Sequence, residues 1–187
     1  MEPRNRVEQW LWTAYRAVPA LSPNEFHLNC VRVYRDEVYV TLLNWPWRSR
    51  ACLLRIEPDV HIEFGSKDIG MPHNAQILDE GHLIVNDTEK QALKVFARST
   101  GELVNHISCA EMGIEGKAWL RGLKPLGNRR VLVGAGAWSS VVGEPDWRRT
   151  IPPAQIMEVD LEAREVSRRV VVSDKGLTSI HGLDAFP

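Results

Sequence analysis

From residue 26 onward, short apolar runs alternate with turn residues at strand length rather than helix length. Cys30-Val31-Arg32-Val33 and Val38-Tyr39-Val40-Thr41-Leu42 flank the turn Arg35-Asp36-Glu37. Cys52-Leu53-Leu54-Arg55-Ile56 and His61-Ile62-Glu63-Phe64 flank Glu57-Pro58-Asp59. This pattern predicts a unit of four antiparallel strands. A second unit follows, with Ala75–Leu78 and His82–Val85 joined by Asp79-Glu80-Gly81, where Asp-Glu-Gly is hairpin chemistry. It continues in Ala92–Phe96 and Glu102–Val104, joined by Arg98-Ser99-Thr100-Gly101. A third unit reads as Trp119–Leu126, Arg130–Val133, Gln155–Val159 and a strand from Glu165. Residues 44–50, 86–90 and 134–153 read as loops. Ahead of these units, residues 1–25 form a separate segment. Within it, 7–18 fits either an amphipathic helix, through Trp10, Leu11, Ala14 and Val18, or an outer strand of a preceding unit. Pro19 and Ser22-Pro23-Asn24 end it.

Each unit opens on a related pair: Leu28-Asn29, His73-Asn74, Arg121-Gly122 and, near the end of the chain, His181-Gly182. In the first three, a valine stands 11 residues beyond the second member, at Val40, Val85 and Val133. A fixed interval between a polar strand start and the middle of the next strand is a blade-type repeat. The expected fold is therefore all-β and β-propeller-like over residues 26–187. It comprises about three four-stranded blades plus one inner strand of a fourth, an incomplete ring. Closed propellers take about four or more blades. Missing N-terminal blades of a longer propeller, or a partner such as a second copy, are expected to complete it.

Composition narrows the partners more than the chemistry. The 187 residues are 44% hydrophobic and 25% charged, with a net charge of -1. That balance gives no global reason to bind nucleic acid or an anionic membrane surface. No apolar run approaches the ~20 residues of a membrane helix, and the first residues lack the apolar core of a signal peptide. The odd set Cys30, Cys52 and Cys109 reads as buried reduced thiols, which suits a cytoplasmic location.

The openings resemble those of six-bladed propellers of the NHL and regucalcin/gluconolactonase type, in which an Asn-Gly-like pair begins the inner strands. His27-Leu28-Asn29, Pro72-His73-Asn74 and Arg121-Gly122-Leu123 are more closely similar to the openings of an uncharacterised bacterial propeller family. The regucalcin resemblance implies a divalent metal held in the central channel by asparagine and acidic side chains, with lactonase or epimerase-like hydrolysis as the activity. Asn29 and Asn74 match its asparagine positions, whereas the other two openings carry Gly122 and Gly182.

In a propeller, inner-strand starts and the loops between second and third strands share one face at the channel mouth. That face is expected to collect His27, Asn29, His73, Asn74, Arg121 and His181. Histidines and an arginine near one axis suit a metal, or an anion if the imidazoles are protonated. The alternative role for these polar openings is to bond the neighbouring blade's backbone and lock blade to blade. The other histidines, His61, His82 and His106, read as exposed. Tryptophan beside arginine in Trp45-Pro46-Trp47-Arg48 and from Trp138 to Trp147-Arg148 suits sugars, anions or protein surfaces, or else packs over the blade tops. Ser139-Ser140 lacks a nucleophile-elbow context, and no P-loop, zinc-finger or dinucleotide fingerprint is present. Two functions follow. One is a non-catalytic module binding a small polar molecule, a glycan or a protein through the channel-mouth face. The other is the metal-dependent lactonase or epimerase-like hydrolase that the resemblance implies.

Overall fold

A computed structural model describes residues 27–43, 51–59, 61–66, 68–137, 153–172, 180 and 183. The N-terminal segment 1–25, Trp45, Trp47, Trp138, Trp147 and the fourth opening, His181-Gly182, lie outside the described residues. Among the described residues, twelve strands make three four-stranded antiparallel sheets, each a meander in which sequence neighbours pair. Sheet 1 holds β1 (His27–Tyr34), β2 (Glu37–Leu43), β3 (Ala51–Glu57) and β4 (His61–Ser66). Sheet 2 holds β5 (Pro72–Ile77), β6 (His82–Asp87), β7 (Ala92–Ala97) and β8 (Leu103–Ser108). Sheet 3 holds β9 (Ala118–Gly127), β10 (Arg130–Ala137), β11 (Gln155–Asp160) and β12 (Glu165–Val171). No helix among the described residues is long and apolar enough to cross a membrane.

The sheets stack face to face, and side-chain alternation shows how. Along β6, Leu83 and Val85 join Tyr39, Leu53 and Phe64 in the core between sheets 1 and 2. Between them, Ile84 joins Leu120, Leu123, Val133 and Met157 in the core between sheets 2 and 3. A strand with both faces buried cannot show the apolar-polar alternation of a half-solvated sheet, so β6 and β7 read as continuous apolar runs. Val40, Leu42, Leu54 and Ile56 form a third cluster on the other face of sheet 1. The tight hairpins β1–β2 and β9–β10 turn through Arg35-Asp36 and Asn128-Arg129. All four have positive φ, as a two-residue turn matched to strand twist requires.

Two stretches expected as loops are strand. Gly134–Ala137 extends β10, and Asn86-Asp87 ends β6. Polar and small residues suggest loops, but Asn86, Asp87 and Thr88 are fully buried, with Asn86 Nδ2, the Asp87 carboxylate and the Thr88 hydroxyl each bonded within the fold. Asp87 Oδ1 accepts from the peptide N–H groups of Gly70 and Lys90, both at 3.1 Å, and Oδ2 pairs with Lys94 Nζ at 2.8 Å. His82 is likewise half-buried rather than exposed, with Nδ1 2.7 Å from Asp79 Oδ1.

Candidate functional site at the inner-strand openings

The three repeated pairs among the described residues are β-bulges. Pairing with the second strand skips a register at Asn29 in β1, at Asn74-Ala75 in β5 and at Arg121-Gly122 in β9. A bulge bends a strand and re-aims its side chains, and one form needs a left-handed residue. Asn74 and Gly122 supply it, at φ 54° and 75°. Asparagine and glycine tolerate that region better than other residues, which accounts for their interchange at this position.

The three described openings are bonded one to the next. Asn29 Nδ2 donates to the Pro72 carbonyl at 2.5 Å, joining sheet 1 to sheet 2. Asn74 Oδ1 accepts the Gly122 N–H at 2.9 Å, and Asn86 Nδ2 donates to the Gly122 carbonyl at 3.2 Å. Thr88 Oγ1 donates to the Leu120 carbonyl at 2.8 Å, and Gln91 makes two bonds with the Ala118 backbone, at 2.6 and 2.7 Å. The peptides of residues 118, 120 and 122 are thus held in turn by side chains of sheet 2. Asn29 and Asn74 thus bond the backbone of the next sheet, one of the two roles expected for these openings.

Between these bonds lies a cluster that only the fold assembles. Trp119 Nε1 is 3.1 Å from His73 Nε2, and the Arg121 guanidinium carbon sits 3.8 Å from the centre of the Trp119 ring. Indole N–H is a donor only, so His73 Nε2 accepts and the proton of the neutral ring sits on Nδ1. Stacking a guanidinium on indole is favourable by roughly 0.5–2 kcal/mol, more as the pair is desolvated. Partial burial pulls the Arg121 pKa below that of a free guanidinium. His73 is buried, while Trp119 and Arg121 are each half-buried and reach solvent. Of the residues expected on the channel-mouth face, His73 and Arg121 both contact Trp119, and Asn74 bonds Gly122 beside them. In the sequence Trp119 stands only as the start of a strand. His27 opens β1 opposite Leu43.

Two of the possible metal-ligating atoms at these openings already have partners: Asn74 Oδ1 accepts from Gly122 and His73 Nε2 from Trp119. Among the described residues, no group of three or more His, Cys, Asp or Glu is placed to hold one.

Comparison with known proteins adds the fold and little else. No family model matches the sequence, and no curated protein matches it. The fold is similar to the crystal structure of a protein of unknown function from Bacteroides caccae, with a TM-score of 0.60 at 16% identity. The match covers 84% of this chain and 53% of that one, so the chain spans about half the length of the structure it matches.

A second concavity lies at the opposite end of the strands. It is a cleft of about 270 Å³ between sheets 2 and 3, lined by residues including His82, Asn105, Arg129, Leu161 and Arg164. Two of its cations have partners. Arg164 bonds Asn105 Oδ1 at 2.9 Å, the His106 carbonyl at 2.8 Å and Glu111 Oε1 at 2.5 Å. Asp79 lies 2.7 Å from His82 and 3.9 Å from Arg129. At the bulge end a cation stacks on an aromatic face instead.

Proposed function

We propose that this chain is a β-propeller-type module whose three sheets are blades, and that it binds a small polar, negatively charged molecule at the bulge end of its inner strands. The stacking of Arg121 on Trp119 carries this reading. A guanidinium stacked on an indole is held in a set orientation, and the His73 bond holds the indole in turn. Such a site orients a carboxylate or phosphate on one side and packs an apolar or sugar ring on the other. The blade reading draws on three four-stranded meanders stacked face to face and on a bulge at the same place in each. A glycan or a protein surface carrying an acidic group presents the same chemistry. We read the location as cytoplasmic, a view supported by Cys30 and Cys109, which are free and buried.

Calorimetric titration with inorganic phosphate, glucuronate and glucose tests the site. At least one of the anionic pair is expected to bind. Arg121→Gln is expected to weaken it by about tenfold or more, the loss of a charge-assisted hydrogen bond. Binding that survives Arg121→Gln unchanged, or no binding of either anion by folded protein, contradicts the proposal.

A further inference from the structure

The residue one place beyond the interval valine differs in each sheet: Thr41 follows Val40, Asn86 follows Val85 and Gly134 follows Val133. In sheets 1 and 2 its side chain bonds the opening of the next sheet. Thr41 Oγ1 donates to the Ala75 carbonyl at 3.3 Å, and Asn86 Nδ2 donates to the Gly122 carbonyl at 3.2 Å. Both bonds use a donor, and a threonine supplies one. Asparagine brings a carbonyl oxygen as well. That atom, Asn86 Oδ1, is fully buried and has no hydrogen-bond partner among the described residues. Exchanging Oδ1 with Nδ2 is no remedy, because it would set two carbonyl oxygens against each other at Gly122.

Buried acceptors are ordinarily bonded, since leaving water without gaining a donor is strongly unfavourable. The place of this one in the fold is informative. Asn86 pairs across the strands with His73, whose Nε2 accepts the Trp119 N–H. Its amide bonds the peptide of Gly122, the residue after Arg121. Asn86 is therefore a neighbour of both ends of the His73–Trp119–Arg121 cluster.

We infer that Asn86 Oδ1 is the specificity element of the site at the bulge end: it accepts a hydrogen bond from a hydroxyl of the ligand whose acidic group meets Arg121. The inference rests on that reading of the site and narrows the ligand to hydroxylated acids, such as sugar acids, over simple anions. Oδ1 is closed to solvent, so the hydroxyl reaches it only after side chains of the site shift, a common event on binding. A site with a buried acceptor discriminates strongly against an analogue that lacks the hydroxyl, because the acceptor then stays unpaired.

Calorimetric titration with glucuronate and with cyclohexanecarboxylate, a ring acid without hydroxyls, tests it. Wild type is expected to prefer glucuronate by about tenfold or more. Asn86→Thr copies sheet 1, keeping a donor for the Gly122 carbonyl while removing the amide oxygen. It is expected to weaken glucuronate by about tenfold and to move cyclohexanecarboxylate by less than about threefold. Circular dichroism checks that the variant folds, and if it does not, the wild-type comparison carries the test. Equal affinities in wild type overturn the inference. So does an Asn86→Thr that affects both acids alike, the result if Oδ1 holds only a water unrelated to the ligand. If phosphate binds and glucuronate does not, the inference fails while the site reading stands. If neither binds, the site reading fails and the inference with it.

Discussion

The Gly122 peptide N–H donates to Asn74 Oδ1 over 2.9 Å, and both residues are left-handed. The bulge of one sheet thus supplies the acceptor for the bulge of the next. Replacing Asn74 with alanine strands a buried donor and puts a Cβ-bearing residue without a polar side chain at φ 54°. The expected loss is about 2–4 kcal/mol, from an unsatisfied buried group plus left-handed strain. Asn74→Gly relieves the strain alone and should lose less. Urea unfolding of the two variants measures the difference, and equal losses would argue against the bulge geometry.

Gly134 holds an ordinary backbone but no room. A Cβ there would lie 2.5 Å from the Arg121 carbonyl oxygen and 2.8 Å from Ile180 Cγ2. Gly134→Ala is expected to destabilise by about 1–3 kcal/mol through overpacking against backbone. Because the clash is with Arg121 itself, ligand binding should weaken in the same variant. Unfolding and titration on one sample check both outcomes.

The buried Asp87–Lys94 pair faces sheet 1 where sheet 1 itself has Leu42 and Leu54, and sheet 3 has Ala135 and Met157. Apolar residues therefore suit this position in the repeat. Lys94→Met alone leaves Asp87 without its cation and should cost about 3–5 kcal/mol. Asp87→Ala with Lys94→Met should recover a large part of that loss. Recovery is limited because the Gly70 and Lys90 N–H groups lose their acceptor. A double variant no more stable than the single one shows that the carboxylate's backbone bonds, rather than the ion pair, hold this turn.

How far the sequence revealed all this depended on the range of the interactions. Strands such as Val38–Leu42 and Ala92–Phe96 were legible because local alternation and turn residues bound them. The interval from Asn29 to Val40 marked the bulge, although not as a bulge. Asn86-Asp87-Thr88 were not legible as buried, because their partners Gly122, Gly70 and Leu120 come from other strands and turns. The Trp119–His73 bond joins residues 46 apart, and no local pattern announces it. Gly134 resembled a loop glycine until the Arg121 carbonyl beside it was seen.

Acid should loosen the joint between β8 and the β11–β12 turn. Bonds from Ser108 and the Arg164 guanidinium hold the Glu111 pKa at about 2, below its ordinary 4.5. A depressed carboxylate pKa stabilises the fold above the unfolded-state value, and that contribution is lost as pH falls toward about 2. Melting temperature should therefore drop between about pH 5 and pH 3. Glu111→Gln should show a smaller drop than wild type, and an identical drop in both would contradict the assignment.

The central claim is that ligands meet this protein at the bulge end of its inner strands. Isotope-edited NMR during titration with glucuronate or phosphate tests it most directly, because both ends of the array report at once. The account predicts early shifts of the Trp119 indole N–H and the Gly122 amide, with the His82, Asn105 and Arg164 signals unmoved. Shifts confined to His82, Asn105 and Arg164 would place binding in the turn-end cleft and contradict it.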